Sequence, residues 1–137
     1  MTSLSLDWTG DLTFKSSVGS PAIELHSSTP GLTSPTQALA YAVMACMGMD
    51  VVHVLQKARH ELKAMHVRFD GERMADHPRR FVAMKVHFEL TANVTPHVVE
   101  RAIQLSKDKY CSVWNTLRQD IELRTTFTIT PDTNPEP

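Results

Sequence analysis

Between Ser34 and about His60 the chain carries a helical run whose first two-thirds are apolar on every side. The stretch A-L-A-Y-A-V-M-A-C-M-G-M, from Ala38 to Met49, has no charge, and Asp50 ends it. Ser34-Pro35-Thr36-Gln37 reads as the helix start, with Ser as N-cap, Pro at the first helical position and Gln at the third. The run to His60 is worth roughly 37 Å of helix at 1.5 Å per residue. A helix that is apolar all round must be covered all round. One small sheet covers one side only, and a second subunit is the simple candidate for the other. The uncharged run itself holds 12 residues, too short for a bilayer, so no membrane span is expected.

The flanking segments read mainly as strands. Leu4, Leu6, Trp8, Leu12 and Phe14 alternate with polar residues, with Gly10 as a bulge or bend. Val18-Gly19-Ser20-Pro21 is a turn, and Ile23 and Leu25 mark a return strand. After the helix, Met65, Val67 and Phe69 alternate, and Asp70-Gly71 opens a charged loop that closes near His77-Pro78-Arg79-Arg80. Val82, Met84, Val86, Phe88 and Leu90 give a long period of two. Thr95-Pro96 starts a second helix to about Lys109, with Val98, Val99, Ala102, Ile103 and Leu105 inward. Cys111-Ser112-Val113 begins a short third helix through Leu117, and Ile121, Leu123, Phe127 and Ile129 form a last strand. The expected fold is α+β in the order β-β-α-β-β-α-α-β: a single domain over residues 1–129, followed by a polar, Pro-rich, disordered tail over 130–137.

Composition narrows the function. At 137 residues one domain is expected. The formal net charge is -1 and no basic run is long enough to follow a phosphate backbone, which argues against nucleic acid as a partner. Two cysteines exclude a disulfide-rich scaffold and a four-cysteine zinc site. The N-terminus lacks a cationic start before an apolar stretch, so a signal peptide is not expected and the cytoplasm, where thiols stay reduced, is.

S-P-T-Q-A-L-A-Y-A-V-M-A-C-M-G-M-D-V-V resembles the cysteine helix of the OsmC/Ohr family, the osmotically inducible and organic-hydroperoxide-resistance proteins. K-Y-C-S-V-W-N-T-L, whose cysteine follows 65 residues later, resembles the family's second-cysteine segment, and P-R-R-F-V-A-M-K-V-H-F its intervening strand. The likeness spans roughly Pro35 to Ile129 and is nearest the YhfA-like branch. It implies an intertwined homodimer with active sites at the subunit interface. It also implies a thiol-dependent reductase of organic hydroperoxides acting in oxidative stress, with Cys46 peroxidatic and Cys111 resolving. Small thiols or dithiols, lipoyl groups among them, would be the reductant, and no cofactor is called for. The chain departs from the pattern in three places. Thr36 and Gln37 stand where the family's reductases carry a glutamate. No arginine precedes Arg59, although those proteins use an early arginine on the thiolate. Ser112 follows the second cysteine in place of a common proline.

The residues leave the chemistry open between two readings. Peroxide reduction needs a thiolate, and Cys46, in mid-helix, lies far from the positive N-terminal dipole. Cys46 is either activated by other groups or an inert core thiol. Asp50 and His53 share its helix face at spacings of four and three, a nucleophile–base–orienter set on paper, although an ionised Asp50 disfavours a neighbouring thiolate. Cys111, at the start of a short helix, reads as the better candidate for an acidic thiol. Cys46, Asp50, His53 and His60 also offer metal ligands, but without H-E-x-x-H or C-x-x-C spacing, and no resident metal is expected. Arg73, Arg79 and Arg80 form a basic loop; in a swapped dimer Arg79 or Arg80 could replace the missing arginine. Met44, Met47 and Met49 read as core and pocket lining, and Gly48 as a site of close backbone approach. The alternative to the enzyme is a non-catalytic protein of the same fold that binds a hydrophobic small molecule at the dimer interface.

Overall fold

Gly10 and Asp11 are where the N-terminal segment folds back on itself. Both have positive φ, 124° and 43°, the left-handed backbone that Gly adopts freely and Asp tolerates. In the computed structural model, which describes residues 1–27 and 29–133, this turn splits the expected first strand into two. β1 (Leu6–Gly10) and β2 (Thr13–Ser16) pair antiparallel, with Gly10 opposite Thr13. β3 (Glu24–His26) pairs with β2, giving a three-stranded sheet in the order β1-β2-β3. The order is therefore β-β-β-α-β-β-α-α-β, with one strand more than expected before the helix. The chain forms two compact units, Met1–Tyr41 and Ala42–Pro137, with the boundary inside the first helix.

That helix, α1 (Pro35–Lys57), begins as its sequence requires. The Ser34 N–H donates to Gln37 Oε1 at 2.9 Å and the Gln37 N–H donates to Ser34 Oγ at 3.3 Å, a reciprocal capping box. It ends three residues earlier than expected. Arg59 turns left-handed at φ 64°, the Arg59 N–H reaches Gln56 O and the His60 N–H reaches Leu55 O, both at 2.9 Å. This is a Schellman closure with Arg in the usual glycine place. The 23 residues of α1 are long and apolar enough, by length and composition alone, to cross a membrane, which the 12-residue uncharged run understated. Here Val43, Met47, Val51 and Leu55, one per turn, are buried in the protein core.

The second sheet supplies the other side of that core. β4 (Leu62–Arg73) and β5 (Phe81–Ala92) pair antiparallel along nearly their whole length. β4 runs on past Asp70-Gly71, where a loop was expected. Gly71 pairs with Met84 within the strand, and a side chain has no room there: the rings of Phe69 and Phe81, set edge to face at 5.7 Å, fill the space above it, and an added Cβ would meet them at 2.6 and 2.7 Å. The alternation of β5 is borne out, with Met84, Val86, Phe88, Leu90 and Ala92 all buried. β6 (Glu122–Thr130) lies parallel to β5, Phe127 opposite Phe88. A parallel neighbour needs a crossover, and α2 (Pro96–Leu105) and α3 (Ser112–Thr116) make it. Val99, Ala102 and Ile103 of α2 join the core with Val43, Met47, Val51 and Leu55. The expected tail at 130–137 starts within the described structure. Thr130 closes β6, the Asp132 N–H donates to Asn93 Oδ1 at 3.1 Å and Asp132 pairs with Lys63 at 3.2 Å; residues 134–137 lie outside the described residues.

Gly48 faces side chains rather than a neighbouring backbone. A Cβ there would lie 3.7 Å from Val67 Cγ2 and 3.9 Å from Met65 Sδ, which is ordinary contact. Gly48→Ala should therefore stabilise the protein by about 0.5–1 kcal/mol through helix propensity and a smaller unfolded-state entropy. The urea midpoint checks this, and a lowered midpoint would mean that a further surface abuts Gly48.

Candidate active site

Cys46 and Asp50 stand four residues apart on α1, beside the buried stripe of Val43, Met47 and Val51. Cys111 comes to them from the crossover. After Leu105 the helix widens by one residue into a π-turn, Ser106–Tyr110, and the Cys111 N–H donates to Ser106 O at 2.8 Å, the i to i−5 bond. Expectation had α2 running unbroken to Lys109. Cys111 then takes the N-cap position of α3, where the Trp114 N–H donates to its Sγ at 3.3 Å. Asn115 Nδ2 ties the turn further, to Lys107 O at 3.1 Å and Cys111 O at 2.9 Å.

The result is a trio. Cys46 Sγ, Cys111 Sγ and a carboxylate oxygen of Asp50 all lie within 4.8 Å of one another. Cys111 is fully buried and Cys46 is half-buried, and both are free thiols. Ser106, fully buried, donates its hydroxyl to Asp50 Oδ2 at 2.8 Å. The sequence reading missed Ser106. Its signal was a polar residue at the next step of the apolar face Val99, Ala102, Ile103, where a hydroxyl needs a buried partner. Among the described residues Asp50 forms no ion pair.

His53 is not part of the trio. It is exposed on α1, and although it shares a helix face with Cys46 it lies seven residues on, about 10 Å along the axis. The expected nucleophile–base–orienter set therefore has Asp50 in place and Ser106, not His53, bonded to it. The basic loop closes on itself. The Arg79 N–H donates to Asp76 O at 2.9 Å, Arg73 Nε donates to Arg79 O at 2.7 Å, and Arg80 reaches Asp120 at 4.0 Å. Of the methionines, Met47 is in the core and Met49 is 69% exposed.

Cys111 is not an acidic thiol, contrary to the helix-start argument. Burial pushes it up to about 11; the Trp114 N–H pulls the other way, and the Cys46 thiol and the Asp50 carboxylate add to the rise. A five-residue helix has little dipole to set against full desolvation.

A family model described as OsmC-like protein matches residues 28–126. The protein YhfA of Escherichia coli K12 is 30% identical over 125 residues, 89% of this chain and 93% of its own length. Among solved structures, a hypothetical protein from Aquifex aeolicus VF5 superposes with a TM-score of 0.87 at 24% identity, covering 96% of this chain and 98% of that one. The organic hydroperoxide resistance protein OhrB of Bacillus subtilis superposes with a TM-score of 0.68 at 14% identity, covering 93% and 98%.

The raised Cys111 has a consequence for stability. The unfolded thiol loses its proton from about pH 9, whereas the folded one keeps it to about 11. Between these values the unfolded state binds fewer protons, so stability falls as pH rises. The contribution is complete below pH 9 and is lost through pH 11, up to about 3 kcal/mol. The stability difference between wild type and Cys111→Ser should shift in favour of the variant across that window. A difference flat from pH 8 to 11 would contradict it.

Proposed function

We propose that this chain, which belongs to the OsmC-like protein family, is a thiol-dependent hydroperoxide reductase. One observation carries the reading: two free sulfurs within 4.8 Å, one half-buried and reachable, the other fully buried behind it. That asymmetry suits a division of labour. Cys46, the accessible thiol, attacks the distal oxygen of an organic hydroperoxide as its thiolate; the O–O bond breaks, the alcohol leaves with a proton, and Cys46 becomes a sulfenic acid. Cys111 then attacks the Cys46 sulfur, the S–O bond breaks, and hydroxide leaves as water with the Cys111 proton. An external dithiol reduces the resulting disulfide. Asp50, within 4.8 Å of both sulfurs and held by Ser106, is the group in reach to take each thiol proton. The compartment proposed is the cytoplasm, where such a reductant is at hand.

A homodimer belongs to the same reading. Leu4, Leu6, Trp8, Leu12, Phe14 and Ile23 on and around β1–β3 are all exposed, Trp8 by 66%, and a three-stranded sheet needs a covered apolar face. Tyr41 and Met49 of α1 are exposed as well. A second copy covering these surfaces would bury more than about 2,000 Å² in total, as obligate homodimers do. It would also bring a cation: the Arg79 side chain has no partner among the described residues and is the candidate for the arginine that α1 lacks.

With a dithiol reductant, wild type should consume cumene hydroperoxide faster than hydrogen peroxide, and one equivalent should remove both free thiols together. Cys46→Ser should abolish consumption. Cys111→Ser should leave a dimedone-trappable sulfenic acid that over-oxidises with excess peroxide. Equal, slow consumption by wild type and Cys46→Ser would remove the enzyme and leave the binding protein for a hydrophobic small molecule. Sedimentation at micromolar concentration should show a dimer, and a stable folded monomer would remove the subunit argument.

A further inference from the structure

We propose that the reduced Cys46–Cys111 pair and Asp50 form a three-donor site for a thiophilic divalent cation of the zinc type. The donor set is two thiol sulfurs and one carboxylate oxygen, mutually within 4.8 Å. Thiolate and carboxylate together suit a borderline-soft ion, and three protein donors leave a fourth tetrahedral position for water or an external thiol. Tetrahedral zinc with thiolates at about 2.3 Å sets two sulfurs about 3.8 Å apart. With a zinc–oxygen bond of about 2.0–2.2 Å the sulfur–oxygen pairs sit about 3.6 Å apart, so no pair of the trio has to close by more than about 1.3 Å, on the scale of side-chain rotation.

Two further observations favour a cation here. Asp50 has no ion-pair partner among the described residues, yet it stands beside two ionisable thiols. With both thiols ionised, the trio would carry three negative charges in a half-buried place; a divalent ion leaves one. The second observation is the buried hydroxyl of Ser106, which holds Asp50 Oδ2 at 2.8 Å and leaves the other carboxylate oxygen free to ligate. Outer partners of this kind orient metal-ligating carboxylates.

Binding is an exchange. Two S–H protons leave to solvent, two metal–sulfur bonds and one metal–oxygen bond form, and nothing is oxidised. A bound ion holds both sulfurs as metal thiolates, so neither is available to peroxide and no disulfide closes until the ion is removed. The site follows from the sulfur–sulfur–carboxylate geometry and not from peroxide turnover, so the two readings fail separately.

The test is titration of the reduced full chain with CdCl2 under argon, then competition with ZnCl2 and a chromophoric chelator. One Cd²⁺ per chain should bind with a sulfur-to-metal charge-transfer band, releasing two protons, and Zn²⁺ should displace it. Cys46→Ala and Cys111→Ala should lose the band. Asp50→Asn and Ser106→Ala, which keep shape, should retain the fold by circular dichroism and weaken binding by about tenfold or more. The proposal is overturned by a wild type with no band at one equivalent, by Asp50→Asn binding as tightly as wild type, or by tight binding that survives alkylation of both cysteines. Where a cysteine variant does not fold, the Asp50→Asn and alkylation arms decide.

Discussion

The packing of one helix stripe on one strand face governs this molecule. Val43, Met47, Val51 and Leu55 of α1 and Met84, Val86, Phe88 and Leu90 of β5 form the centre of a single core. Close packing of this kind fixes the rotation of α1 about its axis. Cys46 and Asp50, flanking the stripe, then have one possible orientation. β5 also takes β6 as a parallel neighbour, which obliges the chain to cross over through α2 and α3. Cys111 lies within that crossover, at the start of α3, and in the same core. Two cysteines 65 residues apart in sequence thus meet through the two requirements that place the core.

What the sequence shows well is local or periodic. The capping box at Ser34 and Gln37 and the alternation from Val82 to Leu90 each rest on neighbours a few residues away. What it hides is set at a distance. Asp70-Gly71 has the composition of a turn, and its pairing with Lys85 and Met84 of β5 keeps it in the strand, with the rings of Phe69 and Phe81 over Gly71. The turn at Gly10 was visible, but not that Asp11 would share its left-handed backbone and start a separate strand. At the site, the two cysteines and Asp50 were legible from spacing and resemblance. Ser106 continues the face of Val99, Ala102 and Ile103 but was missed, because the carboxylate that gives its hydroxyl a role lies 56 residues away in sequence. His53 was over-read, since a shared helix face says nothing of the distance along the axis. Cys111 was misjudged because a local dipole was weighed without the burial that the rest of the chain imposes.

Two of the chain's departures from the family pattern have structural uses. Thr36, at the place where the resemblance implies a glutamate, and Gln37 beside it both serve the start of α1: Gln37 closes the capping box, and the Thr36 hydroxyl lies 3.3 Å from Ser34 Oγ. Ser112, in place of proline, is the first residue of α3, where proline is favoured because its missing N–H has no helical partner. Serine there costs little and leaves Cys111 as the cap. Among the described residues, the ionisable groups brought to Cys46 are Asp50 and Cys111, with Ser106 bonded to Asp50.

The same core limits how the two sulfurs can approach each other. Joining the sulfurs, whether in a disulfide or around an ion, requires them to approach from the separation of up to 4.8 Å seen here. α1 is pinned by a buried residue on each of four successive turns, and shifting it would disturb the core along its length. The Cys111 segment is held as well: Cys111 and Trp114 are buried in the same core, and the turn is tied by the Cys111 N–H bond to Ser106 O and the two Asn115 bonds. The remaining approach is on the scale of side-chain rotation, and Cys46 is the less enclosed of the two thiols. Ser106, at the root of the π-turn and bonded to Asp50, ties the Cys111 segment to α1.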